Sequence, residues 1–265
     1  MVVRDMMEIQ YLGQNGFRIS LDGIVLYFDL YLSDCVYELT GTGIRNYLPP
    51  VCAETIPDAD YYFISHEHLD HLDPQTVRKV STASPGVVFI CPLPHIHILT
   101  ELDIPENRII GAEAYKNISL KSKSGNIDVI PIPEKHEEYN VIYGSHGTLG
   151  YVVKAASKQF YHAGDVIADK KLAEDLKVFG KMDVMFVPIN GHDWLRFEND
   201  IMGNMNYREA LDLCHHVGTE LVIPMHYDLF NNNTENPGFF VDYLYRNYMG
   251  QKFKMFMPGE IMVLK

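Results

Sequence analysis

The sequence predicts an α/β fold in which two packed mixed sheets carry helices on their outer faces, a four-layer αββα sandwich. Residues 1–60 have the alternating pattern of antiparallel strands, and strands alternate with helices after residue 73. The composition shows no linker-like change along the chain. We therefore expect residues 1–265 to form a single domain.

The amino-terminal part of the chain is predicted to form three strands followed by a loop. The strands are Glu8–Leu12, Gly16–Leu21 and Ile24–Asp29, and Asp22-Gly23 is typical of a hairpin turn. A loop that contains Pro and Gly follows from Leu30 to Pro57, and its length favours a role over a site.

The rest of the chain is predicted to alternate between apolar strands and helices. Asp73-Pro74 is typical of a helix start, with Asp73 as the N-cap and Pro74 in the first turn, after the strand Tyr61–Ile64. The other predicted elements are the strands Val87–Ile90, Ile127–Ile130, Leu149–Lys154, Gln159–His162, Asp183–Ile189 and Glu220–Pro224, the helices Tyr207–Val217 and Phe239–Tyr248, and a closing strand pair around Pro258-Gly259.

Composition and charge exclude several classes of function. The hydrophobic fraction of 47% is ample for a packed core, and the net charge of −13 disfavours binding to a long nucleic acid. The segment Met1–Asp5 lacks an apolar signal core and no apolar run reaches membrane-spanning length, so we expect a cytoplasmic protein without a membrane partner. Four scattered cysteines are predicted to be reduced thiols: Cys35, Cys52, Cys91 and Cys214.

The most informative motif is His66-Glu67-His68-Leu69-Asp70-His71, directly after the apolar run Tyr61–Ile64. Its imidazoles and carboxylates are preferred ligands of zinc, iron and manganese, and α/β folds collect ligands at the carboxyl ends of strands. In such a loop the first two histidines can face one centre while Asp70 and His71 face a neighbouring one. A His-rich surface loop is the alternative, but this spacing should arise by chance about once in a thousand such chains.

Three later strands each lead to a further residue able to bind a metal, namely His136, Asp165 and His226. Together with the motif they define two predicted centres: His66, His68 and His136 for one ion, Asp70, His71 and His226 for the other, and Asp165 between them. We expect two divalent ions, zinc or manganese with iron as a further option. Two-metal hydrolases use a hydroxide between the ions as nucleophile, so Asp70, Asp165 and His226 are also predicted to serve catalysis.

The remaining histidines have less specific surroundings. His146 competes with His136 for the third ligand position, and placement at a strand end favours His136. His162 is predicted to be a hydrogen-bonded core residue rather than a ligand. Packing or surface roles are predicted for His95, His97, His215 and His216.

The chain resembles the metallo-β-lactamase superfamily, whose ligand pattern matches the seven predicted ligands in order. It more closely resembles the L-ascorbate-6-phosphate lactonase family over nearly the whole chain. The matching segments are Tyr161-His162-Ala163-Gly164-Asp165, Pro188-Ile189-Asn190-Gly191-His192-Asp193, Gly203-Asn204-Met205-Asn206, Pro224-Met225-His226-Tyr227-Asp228 and Asn233-Thr234-Glu235-Asn236-Pro237. The resemblance implies the metallo-β-lactamase fold and a phosphorylated sugar lactone as substrate.

A polar stretch after the strand Asp183–Ile189 is the predicted substrate rim, with Asn190, His192, Asp193 and Arg196 as binding residues. Arg196 could hold a phosphate as a bidentate donor, although a solvated loop is an equal alternative. In the lactonase family Asn-Gly-Arg-Asp is common here, so His192 stands where an anion-binding arginine would lie. Asp29 is predicted to hydrogen-bond a ligand histidine.

These observations predict a cytoplasmic metallo-hydrolase that opens a phosphorylated sugar lactone or acts on a related small anionic sugar acid. A phosphodiesterase or nuclease acting on a small phosphodiester is the first alternative, and a non-catalytic metal-binding regulatory protein is the second. A homo-oligomer is also expected. The aromatic helix Phe239–Tyr248 could face a partner subunit, but core packing explains its pattern equally well.

Overall fold

A computed structural model describes residues 6–122, 125–155, 158–199 and 201–265, so the expectation for Met1–Asp5 lies outside the described residues. In chain order the strands are β1 (Met7–Gly13), β2 (Gly16–Leu21), β3 (Ile24–Phe28), β4 (Tyr61–Phe63), β5 (Val88–Pro92), β6 (Ile109–Ala112), β7 (Ile118–Ser122), β8 (Gly125–Pro133), β9 (Lys135–His136), β10 (Glu138–Tyr139), β11 (Val141–Ile142), β12 (Ser145–His146), β13 (Leu149–Lys154), β14 (Gln159–His162), β15 (Val184–Pro188), β16 (Leu221–Met225), β17 (Lys252–Phe253) and β18 (Ile261–Leu264). The helices are α1 (Cys35–Thr40), α2 (Pro74–Ala83), α3 (Ile96–Glu101), α4 (Lys170–Lys177), α5 (Trp194–Glu198), α6 (Tyr207–Val217) and α7 (Pro237–Asn247).

Most of these strands form two mixed sheets. The first has the strand order β18-β1-β2-β3-β4-β5-β6, and the second has the order β17-β16-β15-β14-β13-β8-β7. In each sheet an antiparallel part adjoins a parallel part: β3, β4, β5 and β6 run parallel in the first, and β14, β15, β16 and β17 in the second. The closing strands β17 and β18 pair with β16 and β1 in different sheets, so the predicted closing pair is wrong.

An aromatic core joins the facing surfaces of the two sheets. The ring centroids of Phe17 in the first sheet and Phe186 in the second are 4.6 Å apart. Within the first sheet, Phe28 stacks on Phe63 at the same centroid distance. All four rings are buried, and burying one such ring contributes about 2–3 kcal/mol to folding. The predicted packing of sheet on sheet is confirmed.

Helices cover the outer face of each sheet. In the first, α2 and α3 bury Val77, Val80 and Leu99 against β4 and β5. On the second, α4, α6 and α7 bury one apolar face each. The four-layer αββα architecture is thereby confirmed.

Local sequence explains where these helices start and stop. Asp73 caps α2 by accepting from the backbone N–H groups of Gln75 and Thr76, with Pro74 at the first helical position. Asn206 and Glu209 form a capping box at α6, which ends at Gly218 in the left-handed conformation. The cap of α7 is Asn236, so this helix begins two residues before the predicted start at Phe239.

The predicted loop from Leu30 to Pro57 is interrupted by the short helix α1, which sequence periodicity did not indicate. Among the described residues, none of the helices combines the length and the apolar character that crossing a bilayer requires.

Candidate metal centre

The carboxyl ends of strands from both sheets meet at one edge of the sandwich. There β3 leads to Asp29, β4 to His66, and β16 to His226, while β8 and β14 lead to His136 and Asp165. This is the position at which open α/β sheets bind ligands. The geometry brings together all seven residues that the sequence predicted as ligands.

His66, His68 and His136 form the first donor group. One nitrogen from each ring lies within 4.8 Å of the others, and their ring centroids are 4.4–5.3 Å apart. His146 belongs to none of the donor groups found among the described residues, and it lies instead against Tyr139.

Asp70, His71 and His226 form the second donor group. Asp70 Oδ2 is 3.5 Å from His71 Nε2 and 3.4 Å from His226 Nε2. Asp165 lies between the groups, because its Oδ1 is 3.2 Å from His71 Nε2 and its Oδ2 is 3.2 Å from His226 Nε2. The same Oδ2 is 3.8 Å from His136 Nε2, so one carboxylate reaches both groups.

The nitrogen atoms that face this centre fit a divalent metal. Nε2 of His66 and of His136 is buried and has no hydrogen-bond partner among the described residues. The Nδ1 atoms are engaged instead: His66 with Ser65 Oγ at 2.9 Å and His136 with the Gly203 carbonyl at 3.2 Å. These contacts orient the rings and leave the Nε2 lone pairs for a cation.

Asp29 provides the hydrogen bond to a ligand histidine that the sequence predicted. Its Oδ2 lies 2.9 Å from His71 Nδ1 and accepts from Ser65 Oγ at 2.7 Å, and its Oδ1 accepts from the Ser65 backbone N–H. His162 is fully buried, bonded to the Asn15 carbonyl, and takes the structural place expected of it.

Burial and charge act against each other in this centre. Burial alone would lower the pKa of His226, but the carboxylates of Asp165 and Asp70 outweigh it and raise that pKa to about 9. For His136 burial prevails and lowers the pKa to about 4. Burial likewise holds the pKa of His66 well below its usual value. Burial thus favours in His66 and His136 the neutral form that binds metal.

Sequence reasoning missed Gln14 and Asn15 in the turn between β1 and β2. Gln14 Nε2 donates to Asp70 Oδ2 at 2.8 Å, and Asn15 Nδ2 donates to Asp165 Oδ1 at 2.9 Å. Two adjacent carboxamides between Gly13 and Gly16 are the available signal, but that pattern is equally typical of an exposed turn.

The backbone is strained at three positions that touch the centre. Gln14, Asp29 and His226 have φ angles of 55°, 40° and 55°, in the left-handed region that residues other than glycine rarely adopt. Such strain persists where surrounding contacts over-determine the geometry, which happens at functional sites.

Two adjoining cavities open beside the donor groups. The first, about 440 Å³, is lined by residues of both groups together with the acidic Glu67 and with apolar and neutral polar residues: Val36, Leu69, Ile201, Met202, Phe230, Thr40, Thr42, Asn232 and Asn233. The second, about 690 Å³, shares Thr40, Thr42, Ile201 and Asn232 with it. Val36, Thr40 and Thr42 belong to the segment from Leu30 to Pro57, so this segment lies beside the donor groups, and its predicted role over a site stays a prediction.

The four predicted substrate residues do not all reach these cavities. Asp193 and Arg196 line the second one. Asn190 is fully buried, and its amide bonds Asn204 and Asn233, so it links loops instead of facing a ligand. His192 lines neither cavity, and its Nε2 lies 3.8 Å from Glu209 Oε1. For Asn190 and His192 the predicted direct contact with substrate is not what the structure presents.

This fold and donor set define a metal-dependent hydrolase with the metallo-β-lactamase fold. Residues 30–227 match the family model described as the Beta-lactamase superfamily domain. The chain belongs to that superfamily.

Relatives support the same class. A UPF0173 metal-dependent hydrolase of Pyrococcus furiosus is 25% identical, over 98% of this chain and 100% of its own length. An N-acyl-phosphatidylethanolamine-hydrolyzing phospholipase D of Caenorhabditis elegans is 25% identical over 69% of this chain, which spans 53% of that protein. A metallo hydrolase of Ignicoccus hospitalis shares the fold with a TM-score of 0.72 at 21% identity, covering 98% of this chain and 99% of its own.

Proposed function

We propose that the protein binds two divalent cations, zinc or manganese, and opens a phosphorylated sugar lactone such as L-ascorbate 6-phosphate. The observation that carries the proposal is the meeting of two donor groups at one carboxylate, Asp165, which lies 3.2 Å from His71 and His226 and 3.8 Å from His136. When bound, the cations supply Lewis acidity and lower the pKa of a water molecule.

The chain's own residues then orient these groups and receive the substrate. Asp70, Asp165 and His226 lie where the reaction would take place. Because Asp165 and His226 are buried, bulk water is kept away from them. Thr40, Thr42 and Asn232 line both cavities with neutral hydroxyl and amide groups, which suit the hydroxyls of a sugar. Arg196 lines the neighbouring cavity and is the candidate partner for a phosphate.

A small phosphodiester is the second candidate substrate. The phospholipase D of Caenorhabditis elegans acts, by its name, on a phosphodiester. Ile201, Met202 and Phe230 also give the first cavity an apolar side that a lipid-like or aromatic group would fill.

The test compares three substrates: a phosphorylated sugar lactone, the same lactone without phosphate, and bis-p-nitrophenyl phosphate. We expect the phosphorylated lactone to have the highest kcat/KM, and we expect chelation to abolish turnover and manganese or zinc to restore it. Higher kcat/KM on the phosphodiester would favour the second candidate. The doubly substituted variant His66→Ala, His68→Ala should be inactive; full activity would contradict metal-dependent hydrolysis at this centre.

A further inference from the structure

The turn between β1 and β2 is buried against the candidate metal centre. Hairpin turns usually lie at the surface, where water satisfies their polar groups. Here Gln14 and Asn15 are 1% and 0% exposed. Their carboxamides therefore need partners inside the protein, because burying an amide without a hydrogen-bond partner is unfavourable.

Gln14 contacts the second donor group. Its Nε2 is 2.8 Å from Asp70 Oδ2 and 3.0 Å from His226 Nε2. No hydrogen bond joins it to His66, His68 or His136 among the described residues. A substitution here should consequently affect one cation position and spare the other.

Asn15 acts on the carboxylate between the groups. Its Nδ2 donates to Asp165 Oδ1 at 2.9 Å. A carboxylate rotates easily about its Cβ–Cγ bond, so a fixed donor on one oxygen sets the direction of the other. Oδ2 then faces His226 and His136, at 3.2 and 3.8 Å.

The turn itself is anchored on both sides, so its amides approach the centre from a fixed frame. The Gln14 carbonyl accepts from the backbone N–H of His226 at 3.2 Å. The Asn15 carbonyl accepts from Nε2 of the buried His162 at 2.9 Å. Both sheets thus hold the turn, since β1 and β2 belong to the first sheet and these partners follow or end strands of the second.

We propose that Gln14 and Asn15 are positioning residues of the metal centre, and that Gln14 acts selectively on the cation position formed by Asp70, His71 and His226. The inference rests on the two-cation centre of the proposed function. Groups that orient metal ligands typically contribute 10–100-fold to metal affinity. We expect this loss in the second position when the Gln14 amide is removed.

The experiment measures manganese binding to the full chain after chelation and dialysis, by calorimetry and by the metal content that survives gel filtration. Gln14→Ala should lower the affinity for the second ion 10–100-fold, and it should change the affinity for the first ion by less than about threefold. Gln14→Asn should do the same, because asparagine tolerates the left-handed backbone but is one methylene too short to reach Asp70. Asn15→Ala should lower the affinity for both ions, since Asp165 reaches both donor groups.

Gln10→Ala is the matched control, because Gln10 lies on β1 just before the turn and its amide donates to the Gly259 carbonyl, away from the centre. It should keep both affinities. If the unsubstituted protein binds fewer than two ions, the proposed two-cation function fails. If it binds two and both Gln14 variants keep wild-type affinities, or weaken both ions equally, only the positioning inference fails. Should Gln14→Ala not fold, Gln14→Asn alone decides the result.

Discussion

The carboxylate of Asp29 lies 2.9 Å from Nδ1 of His71, and it reaches the other donor group through one hydroxyl. That hydroxyl belongs to Ser65, which donates to Asp29 at 2.7 Å and lies 2.9 Å from Nδ1 of His66. One buried acid thereby orients a histidine in each donor group. Its backbone φ of 40° indicates that the surrounding contacts impose this placement.

Asp29→Asn should lower metal-dependent kcat/KM by about 10–100-fold, because an amide cannot replace the charged acceptor of three donors. Steady-state kinetics at saturating manganese and metal analysis of the purified variant measure the effect. Asp34→Asn is the control: Asp34 is exposed and pairs with Arg45 at 3.1 Å, so activity should be retained. An Asp29→Asn variant with wild-type kinetics and metal content would remove Asp29 from this role.

The sequence predicted the histidines and aspartates of the two donor groups because imidazoles and carboxylates are rare at successive strand ends unless they bind something. It also predicted Asp29, which follows an apolar strand toward the same edge. Gln14 and Asn15 escaped prediction for a physical reason. A carboxamide in a turn is common, and whether the turn is buried depends on packing between distant strands rather than on local pattern.

The structure brings all the predicted ligands together, but only Asp193 and Arg196 of the four predicted substrate residues line a cavity. Asn190 and His192 follow a strand just as Asp165 does, but the chain folds back on itself there, with Asn190 bridging Asn206. The Asn190 amide is taken up by Asn204 and Asn233 in this tight connection. A position just after a strand therefore predicts that a residue lies at the edge of the sheet. The path of the loop then determines the direction in which its side chain points.

Only one of the four cysteines should react with a thiol reagent in the native protein. Cys35, Cys91 and Cys214 are buried, and burial raises the pKa of each to about 12, whereas Cys52 is exposed. Titration with Ellman's reagent at pH 8 should give one rapid equivalent, and four in denaturant. Cys52→Ser should abolish the rapid phase; two or more rapid thiols in the native protein would contradict the burial of the other three.

The free energy of unfolding should depend on pH through Glu220. Lys181 and Lys252 donate to its carboxylate at 2.6 and 2.9 Å and lower its pKa to about 2. Because the folded pKa lies below the unfolded value of about 4.3, the contribution is complete above that value and is lost as pH falls toward 2.

Urea titrations of the unsubstituted protein and Glu220→Gln measure this contribution. The stability difference should be present at pH 6, shrink as the pH falls below 4, and weaken in high salt, because the three side chains are partly exposed. Glu260→Gln is a comparison, since in the described part of the chain the Glu260 carboxylate pairs with a single lysine, Lys254, and accepts from the Met257 backbone N–H. A stability difference for Glu220→Gln that is constant from pH 6 to pH 3 would contradict the lowered pKa.

A substitution of Arg196 can test whether this side chain binds a phosphate or only supports the predicted substrate rim. Its guanidinium donates to the carbonyls of Asn190 and Thr234, which joins two loops, and the same side chain lines the second cavity. Lysine keeps the charge but cannot make both loop contacts and a paired contact to phosphate.

Arg196→Lys should therefore raise KM for a phosphorylated lactone by about 10–100-fold, the equivalent of a lost charge-assisted hydrogen bond. For the same lactone without phosphate, KM should change far less, and kcat should stay near its wild-type value for both because the donor groups are untouched. Arg208→Lys is the matched control, since Arg208 contacts Tyr207 outside both cavities. An equal rise in KM for both lactones would show that Arg196 only holds the two loops together, and the phosphate would then need another partner.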